Sequence, residues 1–383
     1  MDKKMTKEQI CTHYADDPSR YMGAVNPPIF MSSLFCDVPG NEEGKPGRYS
    51  YSRPNNPTVE IAEAKIAALE NAEAAFCTSS GMAAISAAIF HYIKQGDHVI
   101  SVASVYGGAR GILDSYVKRF GVTMTYVNGT DLEEIENAIQ PNTTLIYLES
   151  PSTFLFLLPD LKAIAALAKK HGIATVIDNT YCTPIFQNPM DDGIDMVVHS
   201  CSKYMGGHSD IVGGVVCGRK EDIDQIRGNE GVLFGGIMAP MEAYFLIRGL
   251  RTLPTRMKQH MASAIEMADY FYHLPCVKEV IYPFHPSHPQ YEMAKERLKG
   301  CSSLMSIVFD LPDDTIKAIG KELQLFHKAC SWGGYESLFI ALGMGMEEDT
   351  DIMKKGLVRL HIGLEDVEAL KADWDAALKK VLG

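Results

Sequence analysis

The chain has 383 residues, 46% hydrophobic and 22% charged, with a formal net charge of −12. Such a chain can bury a substantial core without covalent staples, and its acidic balance argues against a nucleic-acid partner and for a small-molecule one. No segment approaches the ~18 uninterrupted apolar residues of a membrane helix, and the polar start from Met1 to Glu8 lacks the apolar core of a secretory signal, so no membrane partner and a cytoplasmic location are expected.

Residues 1–50 hold Asn26-Pro27-Pro28, Pro39-Gly40 and Lys45-Pro46-Gly47 without sustained periodicity, which predicts an extended arm of the kind that wraps a partner. A helix is predicted from Thr58 to Leu69, with Pro57 and Thr58 at its start. Short β-rich runs follow at 75–77, 98–102, 123–127, 145–148, 174–177, 196–198 and 214–217. Helical segments separate them at 82–94, 111–120, 131–139 and 161–171. Strands alternating with helices imply an α/β domain over 51–247 with a mainly parallel sheet covered on both faces. Sites in such sheets form at the carboxyl ends of the strands. From about Arg248 the pattern changes to a helix at 257–271, strands near 303–309 and 358–362, and a last helix at 366–382, a smaller α+β domain over 248–383. The nine cysteines form no Cys-x-x-Cys pair and are odd in number, as expected of reduced core thiols.

Lys203 stands at the end of the apolar run Ile194 to Val198, between Ser200 and Ser202 on one side and Gly206-Gly207-His208-Ser209-Asp210 on the other. An amine delivered into a turn rich in hydroxyls and glycine suits pyridoxal phosphate, whose aldehyde condenses with a lysine and whose phosphate needs hydroxyl and backbone donors. Three further strand ends fit that cofactor. Ser80 is positioned to cap the next helix, leaving the amides of Gly81 and Met82 for an anion. Asp178, ending the run Ala174 to Ile177, would pair with a protonated pyridine nitrogen. Tyr106, beside Gly107-Gly108, could stack on a flat ring. In the second domain, Arg359 in an otherwise apolar strand needs a carboxylate, which an α-amino acid supplies. There is no Gly-x-Gly-x-x-Gly or Gly-Lys-Ser/Thr loop to favour dinucleotide or ATP chemistry. His285-Pro286-Ser287-His288 reads as loop histidines, and no metal site is expected.

Tyr51-Ser52-Arg53-Pro54-Asn55-Asn56-Pro57-Thr58, Ser80-Gly81-Met82, Glu149-Ser150-Pro151, Asp178-Asn179-Thr180, the Ser200 to Asp210 segment, Arg248-Gly249-Leu250-Arg251-Thr252-Leu253 and Arg359 with Gly363-Leu364-Glu365-Asp366 occur in this order. Together they resemble the pyridoxal-phosphate transsulfuration enzymes: cystathionine γ-synthase, the cystathionine β- and γ-lyases, and methionine γ-lyase. The resemblance implies the transferase-like fold of type I. It makes Lys203 the Schiff-base lysine and proton shuttle, Asp178 the ring-nitrogen partner and Tyr106 the stacking residue, with Gly81, Met82, Ser200 and Ser202 around the phosphate. Tyr51 and Arg53 would reach the cofactor of a neighbouring subunit, Tyr51 also bordering the substrate, which implies a homo-oligomer, a tetramer built from two dimers. Arg359 would hold the substrate carboxylate, helped by Ser331.

Trp332 and His361 resemble the β-lyases in particular, whereas Asn56-Pro57-Thr58 and Ser80-Gly81-Met82 are closer to the γ-lyases and synthases. Thr153-Phe154 stands where the resembled enzymes usually carry Asn-Pro, an asparagine that touches the cofactor's phenolic oxygen. The expected activity is β-elimination of cystathionine or a related cysteine S-conjugate to a thiol, pyruvate and ammonia. Its alternatives are γ-elimination or γ-replacement, methionine γ-lyase activity among them, and a non-catalytic metabolite-binding protein.

Overall fold

The computed structural model describes residues 5–39, 41, 49–345, 350 and 352–383. Its larger sheet is built, in chain order, from β1 (Ala74–Thr78), β2 (His98–Val102), β3 (Thr123–Val127), β4 (Thr143–Glu149), β5 (Ala174–Asp178), β6 (Met196–Ser200) and β7 (Gly214–Gly218). Across the sheet the order is β1-β7-β6-β5-β4-β2-β3. Every pair is parallel except those of β7, which runs against both β1 and β6. The reversal has a local cause: Cys201 to Gly213 forms turns and carries no crossover helix, so the chain can only return antiparallel. Lys203 lies in that reversal.

All seven β-rich runs are strands, and all but the edge strand β3 are buried along nearly their whole length, as a sheet covered on both faces requires. Among the helices are α1 (Lys7–His13), α2 (Pro57–Glu70) and α3 (Gly81–Tyr92). Helix α3 packs on β6 and β7, and α2 on β1 and the helix Pro240–Leu250. The last helix, Val367–Leu382, is capped by Asp366.

Three local expectations change. The arm is not wholly irregular, since Thr6 and Gln9 form a capping box on α1 that buries Ile10 and Cys11. Helix 111–120 begins earlier, at Gly107, and passes from an α turn through a π turn (Ile112–Tyr116) to a 3-10 turn (Val117–Phe120). Three glycines and two β-branched residues over 107–117 make a weak α-helix former, and packing sets the winding instead. The 247/248 boundary falls inside the helix Pro240–Leu250.

The smaller sheet comprises β8 (Val277–Ile281), β9 (Leu304–Phe309), β10 (Phe326–Lys328), β11 (Ser337–Ala341) and β12 (Leu357–His361), in the order β10-β11-β12-β9-β8. Trp374 is fully buried against Phe271, Phe309, Phe326 and Phe339 and anchors the last helix to it. Where the two sheets approach, Tyr204, His260, His361 and Trp332 form an aromatic cluster around Ser303. His260 Nδ1 lies 3.0 Å from the carbonyl of Ile362, so that nitrogen carries the proton and Nε2 is left buried without a partner among the described residues. Burial lowers His260 to about 4, and burial followed by the nearby His260 holds His361 well below its ordinary value.

Both imidazoles are neutral when folded and take up protons when unfolded. Stability is therefore complete above the unfolded value near 6.5 and falls as pH drops from there towards 4, by about 1.4 kcal/mol per pH unit for each histidine. Thermal unfolding of the wild type should lose more stability between pH 7 and pH 5 than that of His260→Gln, whose amide can keep the bond to Ile362. Parallel curves would contradict the assignment.

Candidate active site

The reversal after β6 is held by its own backbone: the Lys203 amide donates to Ser200 O and the Gly207 amide to Lys203 O. From outside, Arg256 donates to Tyr204 O at 2.7 Å and Gly249 O at 2.8 Å. Burial lowers this guanidinium to about 10. Gly333, at φ +87°, presses on the same turn, since a Cβ there would lie 2.6 Å from Tyr204 N and 2.8 Å from Lys203 C. Lys203 Nζ then donates to Ser331 Oγ at 2.8 Å and lies 5.7 Å from the Trp332 ring centroid. Burial first, and then the charge of Arg359, lower its ammonium below the ordinary lysine range. Both effects favour the neutral, nucleophilic amine.

Arg359 projects from β12, mostly buried, and donates Nη2 to Ser331 O at 3.2 Å. No carboxylate among the described residues forms an ion pair with it, although an α-carboxylate is the partner a partly desolvated guanidinium calls for.

On the other side of Lys203, β5 and β6 end together. Asp178 is buried, and its Oδ1 accepts from both the amide and the hydroxyl of Thr180. The Thr180 hydroxyl oxygen in turn accepts the Ser200 amide at 2.9 Å. Burial raises the Asp178 carboxyl, while the Thr180 donors, then His199 and Lys203, oppose the rise. No hydrogen bond among the described residues engages Oδ2. Ser80 caps α3 as expected, accepting from Ala83 N at 3.1 Å. A Cβ on Gly81 would come within 2.8 Å of Ser200 Cβ, so only glycine lets this helix start meet that strand end. Ser202 Oγ accepts from Gly213 N at 3.0 Å and lies 3.3 Å from Gly213 O, closing the reversal.

Tyr106 is half-exposed just before Gly107–Gly111. Its ring and Met82 Sδ both crowd the open side of Gly108. Its amide donates to Glu149 Oε2 at 2.7 Å, and the Thr153 hydroxyl donates to Glu149 Oε1. Burial, then the charge of Asp178, raise Glu149 to about 8.

The structure thus brings Lys203, Ser331, Arg359, Asp178, Ser200 and Gly81 around one strand-end cleft, with Tyr106 and Met82 at its edge. It does not bring in Tyr51 and Arg53. They are exposed just past the arm, the guanidinium 5.7 Å from the tyrosine ring centroid, with no hydrogen bond among the described residues to the groups above. Thr180, Glu149, Arg256 and Gly333 were missed as site residues. A hydroxyl two residues after a buried aspartate was the available signal for Thr180; nothing in the sequence marked Arg256. Of the two loop histidines, His285 bonds Ser287 and His288 accepts from Gln290, and the described residues contain no cluster of three metal-ligating side chains.

Pyridoxal phosphate fits this cleft on two observations: the close α3–β6 approach that only Gly81 permits, beside free helix-start amides, and a buried carboxylate with one oxygen still unengaged. A family model described as Cys/Met metabolism PLP-dependent enzyme matches residues 8–379. The chain is 38% identical over 387 residues to L-methionine gamma-lyase of Pseudomonas deceptionensis, covering 96% of each, and 35% identical over 389 residues to cystathionine beta-lyase of Coxiella burnetii, covering 98% of this chain and 99% of that one. The crystal structure of cystathionine gamma-lyase from Lactobacillus plantarum complexed with L-serine superposes with a TM-score of 0.91 at 35% identity, over 99% of this chain and 100% of that one. The chain belongs to the Cys/Met metabolism family of PLP-dependent enzymes.

Gly333→Ala should push the Ser331 to Gly334 segment off Lys203. Cofactor titration by absorbance should show affinity weakened by about tenfold or more, a cost of ~1–3 kcal/mol for a side chain at a positive φ without room. Unchanged affinity would show that this segment does not hold the lysine.

Proposed function

We propose that this protein is a carbon–sulfur lyase that carries out β-elimination on cystathionine or a related cysteine S-conjugate, releasing a thiol, pyruvate and ammonia. The observation that carries the amino-acid lyase reading is Arg359, a mostly buried guanidinium without an anionic partner among the described residues, reaching the same segment that holds the Lys203 amine. Trp332 supports the β-reaction. Bonded to Ser331 and close to the indole, Lys203 Nζ is held at one place, which suits removal of a single proton from Cα better than proton transfers at both Cα and Cβ.

When bound, pyridoxal phosphate supplies an electron sink for the pair left at the substrate Cα. Arg359 grips the substrate carboxylate and fixes which Cα bond faces Lys203. The amine, its proton affinity reduced by burial, takes the Cα proton, and Ser331 Oγ holds Nζ in line. Asp178, kept in place by Thr180, would hold the ring nitrogen, and Gly81, Met82, Ser200 and Ser202 would hold the phosphate. Tyr106, half-exposed at the edge of the site, would cover the ring there and exclude water.

Tyr51, Arg53 and the arm are assigned to a neighbouring copy of this chain in a homo-tetramer. Support comes from the exposed apolar side chains Met22, Val25, Met31 and Leu34 along the arm, which a partner surface would cover. A γ-elimination reading rests on the similarity to methionine and cystathionine γ-lyases.

Products formed from L-cystathionine decide between them. Pyruvate with homocysteine is expected. Formation of 2-oxobutyrate with cysteine, or faster release of methanethiol from methionine, would replace the β-reaction with γ-elimination.

A further inference from the structure

Glu149 and Asp178 end adjacent parallel strands and are paired in register, so their side chains leave the same face of the sheet side by side. Both are buried. Two carboxylates this close in a poorly solvated place do not both ionise readily; the pair shares a proton, and the surroundings decide which member keeps it. The groups facing the pair are unequal. Asp178 receives both donors of Thr180 and the fields of His199 on β6 and Lys203 beyond it. Glu149 receives the Tyr106 amide and the donors of Thr153, and the charge acting on it is that of Asp178. Tyr147 on β4 also faces the pair; its buried hydroxyl has no partner among the described residues and is held neutral by burial and by these two carboxyls.

Glu149 is also a mechanical link. Through Oε2 it holds the backbone of Tyr106, through Oε1 the side chain of Thr153, and the Thr153 amide donates to Ser104 O two residues before Tyr106. One carboxyl therefore ties the covering tyrosine to the strand end beside Asp178.

We propose that Glu149 is a positioning residue that fixes Tyr106 and keeps the single proton of the Glu149–Asp178 pair, so that Asp178 is the member left charged opposite the cofactor's ring nitrogen. The inference rests on the assignment of Asp178 above, but the proton's location is measurable without turnover.

The full-length protein, with and without bound pyridoxal phosphate, is titrated by infrared difference spectroscopy and by thermal unfolding, as wild type and Glu149→Gln. A carboxyl whose folded value, near 8, exceeds its unfolded value of 4.5 stabilises the fold fully below the unfolded value and loses that contribution as pH rises through 8. The wild type should therefore lose stability relative to Glu149→Gln as pH rises from about 5 to 8. It should also show at neutral pH a protonated-carboxyl carbonyl band that Glu149→Gln lacks. Thr153→Val, which removes a donor that favours the ionised form, should carry the loss of that band to higher pH. Glu149→Ala should weaken cofactor affinity by about tenfold, and Glu149→Gln, which can still accept from the Tyr106 amide, should recover most of it. A stability difference that does not vary with pH, or no such band in the wild type, would overturn the proposal by leaving Glu149 a purely structural acceptor. A band that persists in Glu149→Gln and vanishes in Asp178→Asn would overturn it by placing the proton on Asp178. Neither result bears on which C–S bond the enzyme cleaves.

Discussion

The site depends on one buried cation. Arg256 has no carboxylate partner among the described residues, and its guanidinium is instead satisfied by the carbonyls of Tyr204 and Gly249 and by the Thr252 hydroxyl. An unpaired guanidinium in the interior is costly unless its donors are filled. Its geometry therefore fixes the turn that ends β6 against the helices at 240–272. Lys203 precedes Tyr204, so the position of the amine is set from behind by a planar fork with little freedom to shift. Gly333 closes the turn from the front. Between these constraints the lysine has one direction left, towards Ser331 and the cleft.

A second buried polar group works in the same way. Glu70, the last residue of α2, is fully buried and accepts from Asn179 Nδ2 at 2.8 Å and His199 Nε2 at 2.5 Å. Those two residues adjoin Asp178 and Ser200. One side chain thus ties together the two strand ends that carry Asp178 and Ser200. The charged and hydroxyl groups in the cleft are placed by polar groups outside it, as pre-organisation requires.

Local features were legible in the sequence because they have local causes. Alternating apolar runs gave seven strands of the larger sheet, and Ser80 capped α3 because a hydroxyl before a helix satisfies an otherwise free amide. Asp178 and Arg359 could be singled out because each is an ionisable group at the end of or within an apolar run, and Lys203 because it follows one in a turn of hydroxyls and glycines. What could not be read depends on contacts distant in the chain. The edge strand β10 is three residues long and owes its pairing to β11, and Arg256 gains its meaning only from carbonyls at 204 and 249. Glu149 was visible as part of a motif, yet its raised carboxyl follows from the strand register that sets it beside Asp178. The winding of residues 107–120 likewise follows packing rather than propensity.

The central claim is that the amine of Lys203, and no other, makes the covalent bond to pyridoxal phosphate. Borohydride reduction of the loaded protein, followed by proteolysis and mass spectrometry of the peptides, tests it most directly. The account predicts a single pyridoxyl group on the peptide containing Lys203, close to one per chain. Labelling at a different lysine, or none despite stoichiometric bound cofactor, would contradict it.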